Sequence, residues 1–349
     1  MAIKTTNRPG VFSKYSAYAI SSNKTASKAC AVVAKSSIGA DGKVYELFST
    51  SDALSAFLED GDNFIINALC KILFAGGVSK IYAVSVDSEN PDYETAFNLI
   101  KETKGIGAVV CDSFDVSVLL ALDTSVKLAS ENGDERIAFA GGNFSDDFEN
   151  VAKTLNSERF CVTAPCGILD EKTSGSFLAA ALAGAVLTAE DAGTNFSGVS
   201  VLGLDGIYGA FSESRIDNLI SSGVCVFENI NSAPEIIKAV TTKTTENGAL
   251  DYTYRSLNSI LIIDDVLKSV RENLKVMLKN LKNNEVSIGT VRSLIAVLLQ
   301  EKLNQNLISS FVSPKVYKSE SEPDVLIAEL EFDVTLNINQ IHIIAKVNI

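Results

Sequence analysis

Asn63-Phe64-Ile65-Ile66-Asn67-Ala68-Leu69-Cys70-Lys71-Ile72-Leu73-Phe74-Ala75-Gly76-Gly77-Val78-Ser79-Lys80-Ile81-Tyr82-Ala83-Val84-Ser85-Val86 decides the architecture of this chain. Ile65, Ile66, Leu69, Ile72 and Leu73 recur at the three- and four-residue spacing that gathers side chains on one face of a helix. The pattern stops at Gly76-Gly77, where glycine adopts the left-handed conformation that closes helices. Lys80 to Val86 is then rich in the branched and aromatic residues that suit a strand. The unit is a helix, a tight turn and a strand.

The same alternation extends in both directions. Upstream, Ala29-Cys30-Ala31-Val32-Val33-Ala34 reads as a strand, followed by a glycine turn over 39–42 and a second strand over 44–48. Downstream, helices are predicted over 93–102, 116–132 and 146–156, interleaved with strands over 108–111, 136–140 and 160–164. Apolar strands separated by helices of one to four turns indicate an α/β layer around a mainly parallel sheet, assigned to residues 28–235. The apolar stretch over 177–189 is too short for a membrane span and reads as a buried helix. Residues 1–27, with Arg8-Pro9-Gly10-Val11-Phe12, offer no periodic apolar face and read as an extended arm.

A doubly wound sheet is also the architecture of nucleotide-binding enzymes, so its phosphate loops matter. Gly141-Gly142-Asn143-Phe144 lacks the G-x-G-x-x-G spacing, and Gly203 to Gly209 is G-x-x-G-x-x-G. No Gly-Lys-Ser/Thr occurs. Both glycine sets read as turns, and the acid pairs Asp146-Asp147 and Asp264-Asp265 as complements to helix dipoles. The chain has 1 histidine, His342, set in an apparent strand, which disfavours most hydrolase and metal chemistry. Six cysteines (Cys30, Cys70, Cys111, Cys161, Cys166, Cys225) lie in apolar surroundings without a C-x-x-C pair and read as buried thiols. The residues point to no enzyme, cofactor or metal site.

Composition changes after residue 235. Thr241 to Gly248 reads as a polar hairpin tip or linker, and two long helices follow, which with the terminal strands form a C-terminal α+β domain over 236–349. Ile263, Val266, Leu267, Val270, Leu274, Met277, Leu278 and Leu281 form the apolar face of the first helix. Lys268, Arg271, Lys275, Lys279 and Lys282 share the helical spacing and gather within about 80° of one another, roughly 120° from that face. Ile288, Val291, Leu294, Ile295, Leu298 and Leu299 form the inner face of the second. Strand alternation then runs through Leu330, Phe332, Val334, Leu336 and Ile338. It resumes in Ile341, Ile343, Ala345, Val347 and Ile349, a terminal apolar edge suited to pairing with another chain.

Net charge is −13, but residues 1–40 hold six basic and no acidic residues. The remainder has 24 basic against 43 acidic residues, or −19. Such a body repels nucleic-acid and lipid phosphates, while a basic arm suits docking on a second copy of the acidic body. The N-terminus shows no secretory signal, so a cytoplasmic site of synthesis and assembly is expected.

Several segments, in order, resemble the contractile phage tail-sheath family, above all the short sheaths of Gram-positive prophages and R-type bacteriocins. They are Arg8-Pro9-Gly10-Val11-Phe12, Ala31-Val32-Val33-Ala34, and Leu73-Phe74-Ala75-Gly76-Gly77 before Ile81-Tyr82-Ala83-Val84. Later come Ala179-Ala180-Ala181-Leu182-Ala183-Gly184, Ser222-Gly223-Val224-Cys225-Val226-Phe227-Glu228 and Ala239-Val240-Thr241-Thr242. The last are Asp251-Tyr252-Thr253-Tyr254-Arg255 and Ile263-Asp264-Asp265-Val266. The resemblance implies a homo-oligomer of stacked hexameric rings around an inner tail tube, bounded by baseplate and tail-terminator proteins. It implies an outer, protruding α/β domain and an inner domain. Arms would donate strands to neighbouring subunits: the N-terminal one through Arg8, Pro9, Gly10, Val11 and Phe12, and the C-terminal one through 341–349. It also implies a tube-facing helix, for which Lys268, Arg271, Lys275, Lys279 and Lys282 are the candidates. Contraction would then drive the tube through a target envelope without a nucleotide. The competing readings are a nucleotide- or sugar-binding α/β enzyme and another self-assembling shell protein.

Overall fold

The computed structural model describes residues 29–38, 42–58, 64–251, 253–321 and 324–338. Strands β1 (Ala29–Lys35) and β2 (Tyr45–Leu47) lead to helices α1 (Thr50–Phe57) and α2 (Phe64–Ala75) and strand β3 (Ile81–Val86). Next come α3 (Tyr93–Glu102), β4 (Ile106–Cys111), α4 (Val116–Glu131), β5 (Ile137–Gly141), α5 (Phe148–Leu155) and β6 (Phe160–Ala164). They are followed by β7 (Cys166–Leu169), β8 (Lys172–Ser174), α6 (Gly175–Thr188), β9 (Val199–Ser200) and β10 (Gly206–Tyr208). After α7 (Glu213–Ser221) come β11 (Val224–Ile230), β12 (Ala233–Lys238), β13 (Thr245–Glu246) and β14 (Ala249–Leu250). The remainder holds α8 (Leu257–Met277), α9 (Glu285–Asn304), β15 (Ile308–Phe311), β16 (Lys315–Lys318), β17 (Leu326–Glu329) and β18 (Phe332–Val334).

The α/β alternation read from the sequence is present as a nine-stranded sheet of order β2-β3-β1-β4-β5-β6-β11-β12-β9. From β3 to β11 the strands are parallel; β2, β12 and β9 add antiparallel edges. The strand period of two divides β1 between faces. Cys30, Val32 and Ala34 meet residues of α1, α2 and α6, whereas Ala31 and Val33 meet residues of α3, α4, α5 and α7. Both faces are covered, as a parallel sheet requires.

The opening stretch folds as its sequence dictates. Gly77 has φ +93°, and the Val78 and Gly77 amides donate back to Leu73 and Phe74 carbonyls, so the end of α2 is satisfied by its own turn. Helix α6 is apolar all round, and its first ten residues, Gly175 to Gly184, are buried. Its N-terminus touches the sheet backbone directly. A Cβ on Gly175 would lie 2.0 Å from the Gly142 carbonyl oxygen, and one on Gly141 2.2 Å from the Gly175 carbonyl oxygen. The Gly141-Gly142 pair therefore serves helix-to-sheet contact. No helix among the described residues is long and apolar enough to cross a membrane.

Some expectations are corrected. The boundary placed at 235/236 falls inside β12, whose residues Glu235, Ile236 and Lys238 all pair with β11. Thr241 and Thr242 are fully buried, not part of a linker: the Thr242 amide donates to the Phe160 carbonyl and its hydroxyl to the Ser157 carbonyl. Only β13 and β14, turning through Asn247-Gly248, form the expected hairpin. Asp264-Asp265 lie well inside α8, which begins at Leu257, so they do not complement its dipole. Asp264 instead takes a bidentate pair from Arg159 at 2.5 and 2.7 Å, and Asp265 pairs with Lys302.

Helix α8 spans two cores. Leu257 and Ile260 belong to the sheet layer containing α6, while Ile262, Val266 and Val270 pack with Ile288, Val291, Ile295 and Leu299 of α9. Replacing Gly175 by Ala should destabilise the subunit by about 3 kcal/mol, since the added methyl meets backbone that cannot rotate away. Denaturant unfolding of the soluble subunit measures this.

Candidate assembly surfaces

In doubly wound sheets ligands bind beyond the carboxyl ends of the strands, where strand order reverses. Here that point lies between β1 and β4. Asp112, just after β4, accepts the Lys35 amide at 2.9 Å and the Tyr93 hydroxyl at 2.7 Å. Burial raises the Asp112 pKa above the usual carboxylate range, and burial beside Asp112 raises that of Tyr93. These groups join β1, α3 and β4 to one another. All six cysteines are buried free thiols, and burial pushes Cys70 up to about 12 and Cys30, Cys111 and Cys161 well above their ordinary value. The reactive thiolate forms of these four are disfavoured. Among the described residues no three His, Cys, Asp or Glu side chains cluster as metal ligands would.

The basic stripe of α8 divides when placed against its neighbours. Arg271 turns to the body and pairs at 2.5 Å with the buried Glu135, its guanidinium also lying over Gly133. Lys268 is half-buried and reaches Glu272 at 3.8 Å. Lys282 is exposed at the start of the α8–α9 connection, where its amide donates to Ser287. Lys275 and Lys279 remain exposed and have no ion-pair partner among the described residues. They flank Val276, 75% exposed, and Leu278, 68% exposed, and Val286 at the start of α9 is 77% exposed. The free end of the helical hairpin is thus apolar and basic together. The sequence reading placed Leu278 on the inner face, because a helical wheel cannot show that α9 covers only part of α8.

The second surface is a ribbon that sequence reasoning missed in part. β15 pairs with β18 and β16 with β17, all antiparallel. The Val312 amide donating to Glu331 and the Thr335 amide donating to Leu307 carry the pairing past the named strands. Ile308, Phe311, Val316, Phe332 and Val334 turn one face of this ribbon onto α8 and α9. Each strand pairs on one side only among the described residues. Strands β15 and β16 are short and separated by Pro314, which lies in the break between them and on neither strand. The expected run of alternation ends early: strand structure stops at Val334, and Leu336 and Ile338 are exposed. The N-terminal set Arg8, Pro9, Gly10, Val11 and Phe12 and the C-terminal set Ile341, Ile343, Ala345, Val347 and Ile349 lie outside the described residues, as does His342.

No family model and no curated protein sequence matches this chain. Solved structures do. The anti-feeding prophage baseplate, seen by cryo-EM, contains a chain that aligns over 99% of this protein and 100% of itself, with TM-score 0.74 and 15% identity. The helical sheath of the same particle in its contracted state aligns over 99% of both chains, with TM-score 0.72 and 15% identity. The sheath tail protein of Desulfitobacterium hafniense aligns over 93% of this chain and 97% of its own, with TM-score 0.69 and 10% identity. Over nearly its whole length the chain has the fold of contractile-sheath proteins.

The end of the hairpin is presented by α8, and α8 is fixed to the body through Arg159 and Asp264, whose side chains are 15% and 7% exposed. Replacing Arg159 by Leu should cost about 3–5 kcal/mol, because it takes the bidentate guanidinium away from a buried carboxylate. The double replacement Arg159→Leu with Asp264→Leu should recover much of that loss in a denaturant-based double-mutant cycle.

Proposed function

We propose that this chain is the polymerising subunit of a contractile tail sheath, stacked in hexameric rings around an inner tube that contraction drives through a target envelope. The observation that carries the reading is the end-to-end likeness to a helical sheath captured in its contracted state, together with the sheath-like segments in the same order along the sequence. The subunit acts mechanically and not as an enzyme. No cofactor enters this reading.

The open ribbon of β15 to β18 gives strand donation a place to act. Its two outer edges, which pair with no other described strand, offer main-chain donors and acceptors to one arm on each side. We assign those positions to the N-terminal arm around 8–12 and the C-terminal strand 341–349 of neighbouring copies, so that main-chain hydrogen bonds tie subunits together while their α/β bodies move. The exposed Lys275 and Lys279, with Val276 and Leu278, form the surface proposed to meet the tube, which would be acidic where it is touched. Baseplate and tail-terminator proteins would bound the stack. Assembly takes place in the bacterial cytoplasm, with release as part of a phage tail or a tail-like particle such as a bacteriocin.

Negative-stain microscopy of the purified full-length protein should show striated tubes; flat layers or a small closed oligomer would remove the sheath reading. Deleting 341–349 should leave a folded, soluble subunit that no longer polymerises, and tubes of normal length from that variant would refute strand donation. The charge reversals Lys275→Glu and Lys279→Glu should weaken co-assembly with the tube by tenfold or more while sheath-only polymers persist. Co-sedimentation with the tube reads this directly.

A further inference from the structure

A pocket of about 200 Å³ opens where β12 ends and α8 begins, lined by Asn195, Ser197, Lys238, Arg255, Ser256 and Asn337 among others. The backbone brings its two cations together. Val240 and Ser256 form an antiparallel bridge, and the Thr241 amide donates to the Arg255 carbonyl at 2.9 Å. No Asp or Glu lines the pocket, although the chain carries 43 acidic against 30 basic residues. Lys238 is half-buried, and its ammonium makes no hydrogen bond or ion pair among the described residues. Arg255 spends one guanidinium nitrogen on the Ile220 carbonyl at 3.1 Å, while its buried Nε has no partner. Burial, with the Arg255 charge adding to it, pushes the Lys238 ammonium below its ordinary pKa.

Two more features share the sign of these charges. The 21-residue helix α8 starts here, so its positive end faces the pocket, and its N-cap residue Ser256 makes no side-chain capping bond. Two like charges, a buried donor without an acceptor and an uncapped helix start converge where folding alone rewards none of them. A bound anion would offset all three.

We propose that this pocket is an oxyanion-binding site, built to take a carboxylate or a phosphate-like group between Lys238, Arg255 and the N-terminus of α8. Two sources supply that chemistry: a free inorganic oxyanion, or an Asp or Glu side chain of a second copy of this acidic chain. The second source rests on the polymerisation proposed above, and the first does not.

The full-length subunit, kept below its polymerisation threshold, is titrated calorimetrically with inorganic phosphate at constant ionic strength set by chloride. Saturable binding, at least tenfold weaker in Lys238→Met, identifies the free-anion source. Lys238→Met is the informative variant because the Lys238 ammonium has no partner among the described residues and methionine keeps the length of its stem, so the thermal midpoint without phosphate should match or exceed that of the natural chain. Light scattering then measures the critical concentration for polymerisation in phosphate-free buffer. A rise of fivefold or more in Lys238→Met, with phosphate competing against assembly of the natural chain, identifies the carboxylate of a second copy. The proposal is overturned if phosphate gives no saturable heat and Lys238→Met leaves the critical concentration unchanged. It is equally overturned if Lys238→Met lowers the thermal midpoint by several degrees, which would make Lys238 a structural residue. A natural chain that binds phosphate but never polymerises would uphold the site and remove the sheath reading alone.

Discussion

The contact between the start of α6 and the carboxyl ends of β5 and β6 is the constraint on which the rest of the fold depends. Helix α6 has no charged residue in its 14 positions and lies inside the layer formed with α1 and α2. Its backbone at Gly175 approaches that of Gly141 and Gly142 so closely that any side chain at Gly175 or Gly141 would overlap main-chain atoms, and one at Gly142 would overlap the Phe114 ring. Burying an all-round apolar helix removes a large area from water, at roughly 25 cal/mol per Å². The glycines let the helix come near enough to fill the space. In a nucleotide-binding fold a glycine pair at this point leaves room for phosphate; here the room is taken by the protein itself.

A second dependence links that body to the surfaces assigned to assembly. Helix α8 begins in the sheet core and ends in an apolar and basic tip, so one rigid rod carries the position of the body to the hairpin. Three polar contacts set its rotation: Arg159 with Asp264, Arg271 with Glu135, and Asn258 with the Thr194 carbonyl. Buried ion pairs of this kind add little net stability over apolar packing, but a misplaced helix would leave their charges unpaired. They therefore act on geometry.

Much of the fold was legible because its signals are local. The helix stop at Gly76-Gly77, the apolar strands and the period of α2 to α5 depend on neighbours a few residues away, and the structure reproduces them to within a few residues. What failed was non-local. Asp264-Asp265 resembled a first-turn acid pair because the true start of α8, around Leu257 and Ile260, faces a different core from the rest of the helix. Thr241 and Thr242 resembled a linker because their polarity is satisfied only in the fold: Thr242 bonds to Ser157 and Phe160 near β6, about eighty positions away, and Thr241 to the Tyr254 and Arg255 carbonyls.

The candidate surfaces show the same division. The sequence by itself determined an α/β sheet covered on both faces, buried thiols and an acidic body, because period, turn chemistry and charge are properties of short stretches. It also placed five cations at helical spacing, of which Lys268, Arg271 and Lys275 lie on α8 while Lys279 and Lys282 follow its end. Only the tertiary structure decided which of them face outward: Arg271 meets Glu135, from a turn 136 residues away, whereas Lys275 and Lys279 extend beyond the body. Only the tertiary structure brought Lys238 and Arg255 to one pocket, since a strand end and a helix start meet through a backbone bridge that no sequence period encodes. The physical reason is range. Backbone preference acts over a few residues, but a charge is satisfied or left free by whatever the folded chain places beside it.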